Sequence, residues 1–229
     1  MTTVPPASAA MSALSASSAA TQASPAAPRT ILAAGLALRH WPGWLAGVGI
    51  DTGALAAELV RSLAWQQPRV RVHGRVHAVP RLTCWMADPG CRYRYSGLLH
   101  EPEPWLPGLD ALRHRLTDLL GCRFNSLLLN RYRSGDDRMG WHADDEPELE
   151  IDHPIASLSL GAGRDLRFRP RPGDSAAAES AAAFTLALAD GDLLVMDGPT
   201  QRHWQHALPS RRRVTAERIN LTFRRIRTG

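Results

Sequence analysis

Residues 218–224 read Arg218-Ile219-Asn220-Leu221-Thr222-Phe223-Arg224, and this segment decides the fold. Ile219, Leu221 and Phe223 alternate with the polar residues, the period of two that places apolar side chains on one face of a β-strand and polar ones on the other. The polar face is unusual for one that meets water, with an arginine at each end and two small hydrogen-bonding residues between them. A guanidinium is a planar fork that takes a carboxylate through two parallel bonds. The face therefore reads either as a solvated surface or as a cationic wall for a dicarboxylate. Similar alternation precedes it: Ser157 and Ser159 with Leu158 and Leu160, then Arg167 and Arg169 with Leu166 and Phe168. Leu193–Met196 is an apolar run after the turn Asp190-Gly191-Asp192. From about residue 125 to the end the chain reads as strands, with the Gly-, Ala- and Ser-rich residues 172–183 as a loop between two of them.

Upstream stands His142-Ala143-Asp144. If residues 140–145 are extended, His142 and Asp144 project to one side and Ala143 to the other. With a distant second histidine this is the composition of a two-His-one-carboxylate site, which holds Fe(II) on one face and leaves positions open for oxygen chemistry. One strand cannot wrap an octahedral face, so the third ligand comes from elsewhere. His206 is the first choice and His203 the second; three residues apart on a strand, they face opposite sides, and only one reaches the metal. A His-x-Asp triplet alone is common among surface hydrogen-bonding residues, and the arginine-bearing strand is what gives this one weight. Asn130-Arg131-Tyr132 adds an amide and a phenol on one face, donors able to orient the other end of a dicarboxylate.

The rest of the chain fits one α+β domain with a mainly β core. Its 229 residues suffice for a sizeable core. Residues 1–30 are Ala, Ser, Thr and Pro with Arg29 as the single charge, a composition that buries no core and reads as a disordered tail. The tail lacks the basic start and apolar run of a signal peptide, Met11 offers an alternative start, and no stretch reads as a membrane span. Asp51 is placed to cap a helix carrying Leu55, Leu59, Val60 and Leu63. Residues 105–120 repeat the pattern, with Gly121 as the stop. Both helices are expected on the outside of the sheet. The net charge is +5 and all 27 basic residues are arginine, which fits a polyanionic partner and equally a GC-rich coding sequence. Cys84, Cys91 and Cys122 form no CxxC pair and no even set, so they read as packing residues of a protein in a reducing, cytoplasmic compartment.

Asn130-x-Tyr132, His142-x-Asp144-Asp145, the run from Pro154 to Gly161, Trp204-x-His206 and Arg218-x-Asn220-Leu221-Thr222-Phe223-Arg224 follow the order and spacing of the AlkB family. These are Fe(II)- and 2-oxoglutarate-dependent dioxygenases that repair alkylated bases, and the chain resembles most the branch of animal DNA-repair homologues. The likeness runs from about residue 65 to the C-terminus. It implies a double-stranded β-helix, or jelly roll, over about 125–229, a substrate-recognition region over about 65–100, and a domain spanning 31–229. It implies iron on His142, Asp144 and His206. It implies 2-oxoglutarate held by Asn130, Tyr132, Arg218, Asn220, Thr222 and Arg224, with Arg218 on the distal carboxylate and Arg224 beside the site, and O₂ as the second cosubstrate. The reaction implied is oxidative removal of the methyl group from bases such as N1-methyladenine or N3-methylcytosine in DNA, giving formaldehyde and succinate, by a monomer.

The substrate side is read more loosely. Residues 69–77 alternate basic and apolar side chains around Gly74, which fits a hairpin with a cationic face or an edge strand protected by charge. Arg92-Tyr93-Arg94-Tyr95 also alternates; its tyrosines are either core residues or a platform for an unpaired base. The resemblance makes the hairpin a recognition element, places Tyr93 against a flipped base opposite His142, and gives Asp145 a contact to that base, with His73 and Arg81 as further substrate contacts. A methylated adenine or cytosine is cationic, which gives Asp145 a reason to be acidic. The chain departs from its duplex-repairing relatives at the hairpin tip, where Val72-His73-Gly74 lacks a large aromatic to fill the gap left by an extruded base. Single-stranded DNA or RNA needs less unstacking. Two alternatives stand beside this reading: an oxygenase with an RNA or other substrate, and a non-catalytic jelly roll that binds nucleic acid through its arginines.

Overall fold

The computed structural model describes residues 27–227 apart from 73, 96, 97 and 101. Residues 1–26 of the expected tail lie outside that range, as does His73. Two strands that the alternation did not reveal open the fold, β1 (Arg29–Ala33) and β2 (Leu36–Trp41), so the boundary expected at residue 30 falls inside β1. They pair around a turn in which Gly35 has φ 67°, and a Cβ there would strike the His203 ring. The organisation is therefore not helices first and strands second.

Helix α1 (Trp44–Gly47) is a single turn, and α2 (Thr52–Ser62) starts where expected, with the Asp51 carboxylate accepting from the Ala54 N–H at 2.9 Å. Helix α3 (Pro107–Leu120) ends at Gly121 in the left-handed conformation. Strands β5 (Leu82–Ala87), β8 (Ser126–Tyr132), β10 (Ile155–Gly161), β13 (Leu193–Met196) and β15 (Arg218–Arg224) join the opening pair in a seven-stranded sheet, ordered β1-β2-β13-β10-β15-β8-β5. Strands β9 (Met139–His142), β11 (Arg164–Pro170), β12 (Phe184–Leu188) and β14 (Trp204–Leu208) form a second sheet ordered β12-β11-β14-β9. The pairing throughout both sheets is antiparallel. Together these sheets are the expected jelly roll.

Outside them lie two two-stranded ribbons. The first, β3 (Arg69–Val72) with β4 (Arg75–Ala78), turns at Gly74, φ 78°, as expected; the second pairs β6 (Tyr93–Tyr95) with β7 (Leu98–His100). Residues 172–183 are not all loop, because Ser175–Ser180 form helix α4. Asp174 caps it by accepting from the Ala177 N–H at 3.0 Å, and an alanine run has the highest helix propensity once a cap is available. A last short helix, α5 (Thr200–His203), precedes β14.

The large sheet has two kinds of inner surface. Leu127, Leu129, Leu158, Leu160, Leu193, Val195, Leu221 and Phe223 pack against Leu55, Leu59, Leu109, Leu112 and Leu116 of α2 and α3, forming the main core outside the sheet. On the opposite side the two sheets face each other. At one end Leu38, Ile155 and Met196 meet Phe168, Leu188 and Trp204 in a second apolar cluster. At the other end the facing residues are polar, and the sheets enclose a pocket instead of a core.

Candidate active site

Every residue of β15 is buried, polar and apolar alike. Its neighbours decide this: β10 and β8 flank it, helices cover its apolar face, and the second sheet covers its polar face. The solvated-surface reading of that face is thereby excluded. Cross-strand register then assembles a wall. Asn220 lies opposite Ser159 on one side and Asn130 on the other, and Arg218 lies opposite Tyr132. Arg218 Nη2 donates to Ser159 Oγ at 2.9 Å and to Asn220 Oδ1 at 2.7 Å. Ser157 Oγ also donates to Asn220 Oδ1, and Asn220 Nδ2 donates to Thr222 Oγ1. Asn220 is thus the strut of the wall, holding Arg218 and Thr222 in place.

At the other end of the pocket His142, Asp144 and His206 bring one ligand atom each to within 4.8 Å of one another. His142 and His206 are direct cross-strand partners of β9 and β14, with ring centroids 4.1 Å apart. Asp144 does not arrive by strand alternation. Strand β9 stops at His142, and Asp144 sits in a bend after it, where its N–H donates to the buried Gln201 Oε1 at 2.9 Å. The extended reading of 140–145 is corrected to that extent. The carboxylate oxygens lie 3.9 Å from His142 Nε2 and 3.9 Å from His206 Nε2. His142 Nδ1 lies 2.9 Å from the Gly140 carbonyl, which only accepts, so Nδ1 carries the proton and Nε2 offers its lone pair to the group.

The electrostatics suit a cation. Burial works to raise the Asp144 carboxyl, but the Arg224 guanidinium, which donates to Asp144 Oδ1, and the two imidazoles outweigh it and hold the group below the usual range. Burial, reinforced by His142 and Arg224 and opposed by Asp144, pushes His206 down to about 3, so its ring is neutral. Two imidazoles and one carboxylate are the donor set that a divalent transition metal of the iron type takes. His203, the second choice, is not brought to the group: it ends α5, and its Nδ1 lies 2.6 Å from Asp174 Oδ2.

Between these ends the pocket is lined by Asn130, Tyr132, Arg218, Asn220, Thr222 and Arg224, all six of the residues expected to hold a cosubstrate. A second cavity opens beside it and shares Met139, Asp144 and Arg224 with it. Gln66, Arg81, Thr83, Cys84, Glu103 and Glu146 are among its walls. Arg81 spans the two spaces, since it lines the second cavity and its Nε donates to Asn130 Oδ1 at 2.7 Å. Asp145 faces away from the metal group and pairs with Arg171 at 2.8 Å. The backbone of Tyr93 is in β6, while its side chain, like His73, is outside the described residues. Gln201, Arg164, Glu103 and Glu146 were not singled out from the sequence. Each belongs to no motif, and only the folded chain brings it to the site.

A family model for the 2OG-Fe(II) oxygenase superfamily matches residues 38–224. The chain is 45% identical over 159 residues to the human protein named DNA oxidative demethylase ALKBH2, covering 69% of this chain and 61% of that one. It is 40% identical over 180 residues to the Bos taurus alpha-ketoglutarate-dependent dioxygenase alkB homolog 3, covering 77% and 62%. The chain thus spans about six tenths of the length of these curated relatives. Among solved structures, a 2OG-Fe(II) oxygenase family oxidoreductase from Burkholderia pseudomallei superposes with a TM-score of 0.52 at 16% identity, covering 82% of this chain and 84% of that one, a likeness of fold.

Proposed function

The chain belongs to the 2OG-Fe(II) oxygenase superfamily, and from that premise we propose that it is a 2-oxoglutarate-dependent dioxygenase that removes methyl groups from the nitrogen atoms of bases in DNA. One observation carries the reading: the inward polar face of β15 joins the His142, Asp144 and His206 group to a buried arginine that has no carboxylate partner among the described residues. Arg218 is 2% exposed and its Nε has no hydrogen-bond partner. Burial brings its pKa down to about 10. A buried, unopposed guanidinium is costly unless an anion completes it. The distal carboxylate of 2-oxoglutarate does so, at the far end of the pocket from the metal group. The likeness to proteins named as DNA oxidative demethylases supports the substrate.

When bound, the iron couples oxidation of 2-oxoglutarate to succinate and CO₂ with insertion of one oxygen atom into a C–H bond of the methyl group. The chain supplies position and charge. Arg218, held by Ser159 and Asn220, takes the distal carboxylate; Asn130, Tyr132 and Thr222 line the path to the metal end. Arg224 keeps Asp144 ionised and turned toward the group. The second cavity receives the base. Glu103 and Glu146 in its wall draw a ring made cationic by methylation. The exposed hairpin β3–β4, with Arg69, Arg75 and His77, and strand β6 with Tyr93 meet the nucleic acid. The hydroxymethyl group left on the base nitrogen parts as formaldehyde, and the nitrogen regains its normal valence without a protein nucleophile. We read the chain as a monomer working in a reducing compartment, which its free cysteines support.

The test is incubation with Fe(II), ascorbate and 2-oxoglutarate on an oligonucleotide bearing one N3-methylcytosine, single-stranded and annealed, with the methyl group followed by mass. Loss that requires 2-oxoglutarate and vanishes in His142→Ala is the expected result, with the single strand favoured. Succinate without methyl loss would keep the oxygenase and discard the substrate; neither product would leave the nucleic-acid-binding jelly roll.

A further inference from the structure

Tyr132 is 3% exposed, and two buried guanidiniums lie against its ring. The Cζ of Arg218 lies 5.7 Å from its ring centroid and that of Arg164 5.9 Å. Arg164, on β11, is 3% exposed and occupies the same side of its strand as Leu166, which lines the cosubstrate pocket. Its hydrogen bonds go to main-chain oxygens alone: Ser134 at 3.2 Å, Asp137 at 2.9 Å and Pro209 at 2.7 Å. Its Nε, like that of Arg218, is buried without a partner. The carboxylate of Asp137, whose main-chain oxygen accepts from Arg164, is committed to Arg133 at 2.8 Å. One end of the pocket therefore has Arg218 and Tyr132 in its wall and a second guanidinium, Arg164, against the same phenol ring, neither charge matched by a carboxylate among the described residues. Burial lowers both pKa values, and Arg164 lowers that of Arg218 further.

We propose that Arg164 is a positioning residue that sets the affinity and charge selection of the pocket for a cosubstrate carrying a distal carboxylate, acting through Tyr132 and by its own charge. This rests on the assignment of 2-oxoglutarate to the pocket. Carbonyls accept hydrogen bonds but carry no net charge, so the three that grip Arg164 orient it without neutralising it. In a dry site, attraction to an anion beyond contact distance persists where water would screen it. Arg164 also ties the segment after Tyr132 to Pro209 after β14 and packs its guanidinium on the Tyr132 ring. A monoanionic 2-oxo acid such as 2-oxobutanoate offers the metal end the same groups and this end nothing, so it gains little from Arg164.

The experiment compares the wild-type chain with Arg164→Met and Arg164→Lys, each loaded with Mn(II), by calorimetric titration of 2-oxoglutarate and of 2-oxobutanoate, with thermal melting in parallel. Arg164→Met is expected to weaken 2-oxoglutarate about tenfold, or ~1.4 kcal/mol, while 2-oxobutanoate changes less than twofold. Arg164→Lys keeps the charge, loses the fork, and should recover more than half of the loss even if it melts as low as the Met variant. Wild-type binding with both variants unchanged overturns the proposal alone. Equal weakening of both acids, or failure of Lys to recover affinity, assigns Arg164 a structural role and overturns it too. No binding of 2-oxoglutarate by the wild-type chain overturns the assignment of the pocket and the proposal with it.

Discussion

Strand β15 and the hairpin β3–β4 are written in the same pattern and live in opposite surroundings. Both alternate polar residues, arginine among them, with apolar ones: Arg218-Ile219-Asn220-Leu221 in one, Arg69-Val70-Arg71-Val72 in the other. Strand β15 lies between β10 and β8 with helices on one side and a second sheet on the other, and all seven of its residues are buried. Among the described residues the hairpin strands pair only with each other; the four residues of β4 are exposed, and Val76 keeps 48% of its surface in water. A period of two specifies a strand and its two faces, but not what lies against them. Tertiary neighbours turn the arginines of β15 into the wall of a pocket and leave Arg69 and Arg75 of the hairpin exposed to solvent.

The comparison can be broken most decisively at Arg218. Arg218→Ala removes a buried charge whose bonds to a carboxylate contribute about 1.5–3 kcal/mol each, so 2-oxoglutarate binding should weaken at least ~100-fold by calorimetry, with Mn(II) binding retained. An unchanged affinity would place the cosubstrate elsewhere. On the apolar face, Leu221→Ala opens a cavity in the main core and should cost ~3 kcal/mol in denaturant melts. A cost below ~1 kcal/mol would mean that the core outside the sheet does not hold β15 in place. In the hairpin, Arg69→Gln with Arg75→Gln should weaken binding to single-stranded DNA several-fold and lower the salt dependence by about two counterions, leaving the melting temperature unchanged. Unchanged affinity and salt slope would reduce the hairpin to an edge protected by charge. The smallest effect belongs to Val76→Ala, expected within ~0.5 kcal/mol in the same melts because the side chain is already exposed to water; a larger loss would make the hairpin part of the core.

The same contrast explains how far the sequence could be read. Periodicity found the strands of the jelly roll from β8 onward, the caps at Asp51 and Gly121, and the turn at Gly74, because each is a local signal. It missed β1 and β2, whose short apolar run around Gly35 carries little polar alternation and is stabilised by pairing with β13, far away in the chain. It read α4 as loop because small residues signal flexibility until Asp174 supplies a cap. The residues expected to hold metal and cosubstrate were legible through motif order, and the structure places all of them around one pocket. Gln201, which steers the main chain at Asp144, and Arg164, which flanks Tyr132, were not legible, because a single Gln or Arg has no meaning until strands far apart in sequence become neighbours. His203 and His206 differ for the same reason. Both carry an imidazole, but one ends a helix against Asp174 and the other faces His142 across a ladder.

The most direct test measures succinate formation and methyl loss side by side, on a single-stranded oligonucleotide with N3-methylcytosine, for the wild-type chain, Arg218→Ala and the Arg69→Gln, Arg75→Gln hairpin variant. The account expects Arg218→Ala to lose both products at moderate 2-oxoglutarate. It expects the hairpin variant to keep succinate formation in the absence of DNA while losing methyl removal at low DNA concentration. Full activity of Arg218→Ala at moderate 2-oxoglutarate, or equal loss of both products in the hairpin variant, would contradict it.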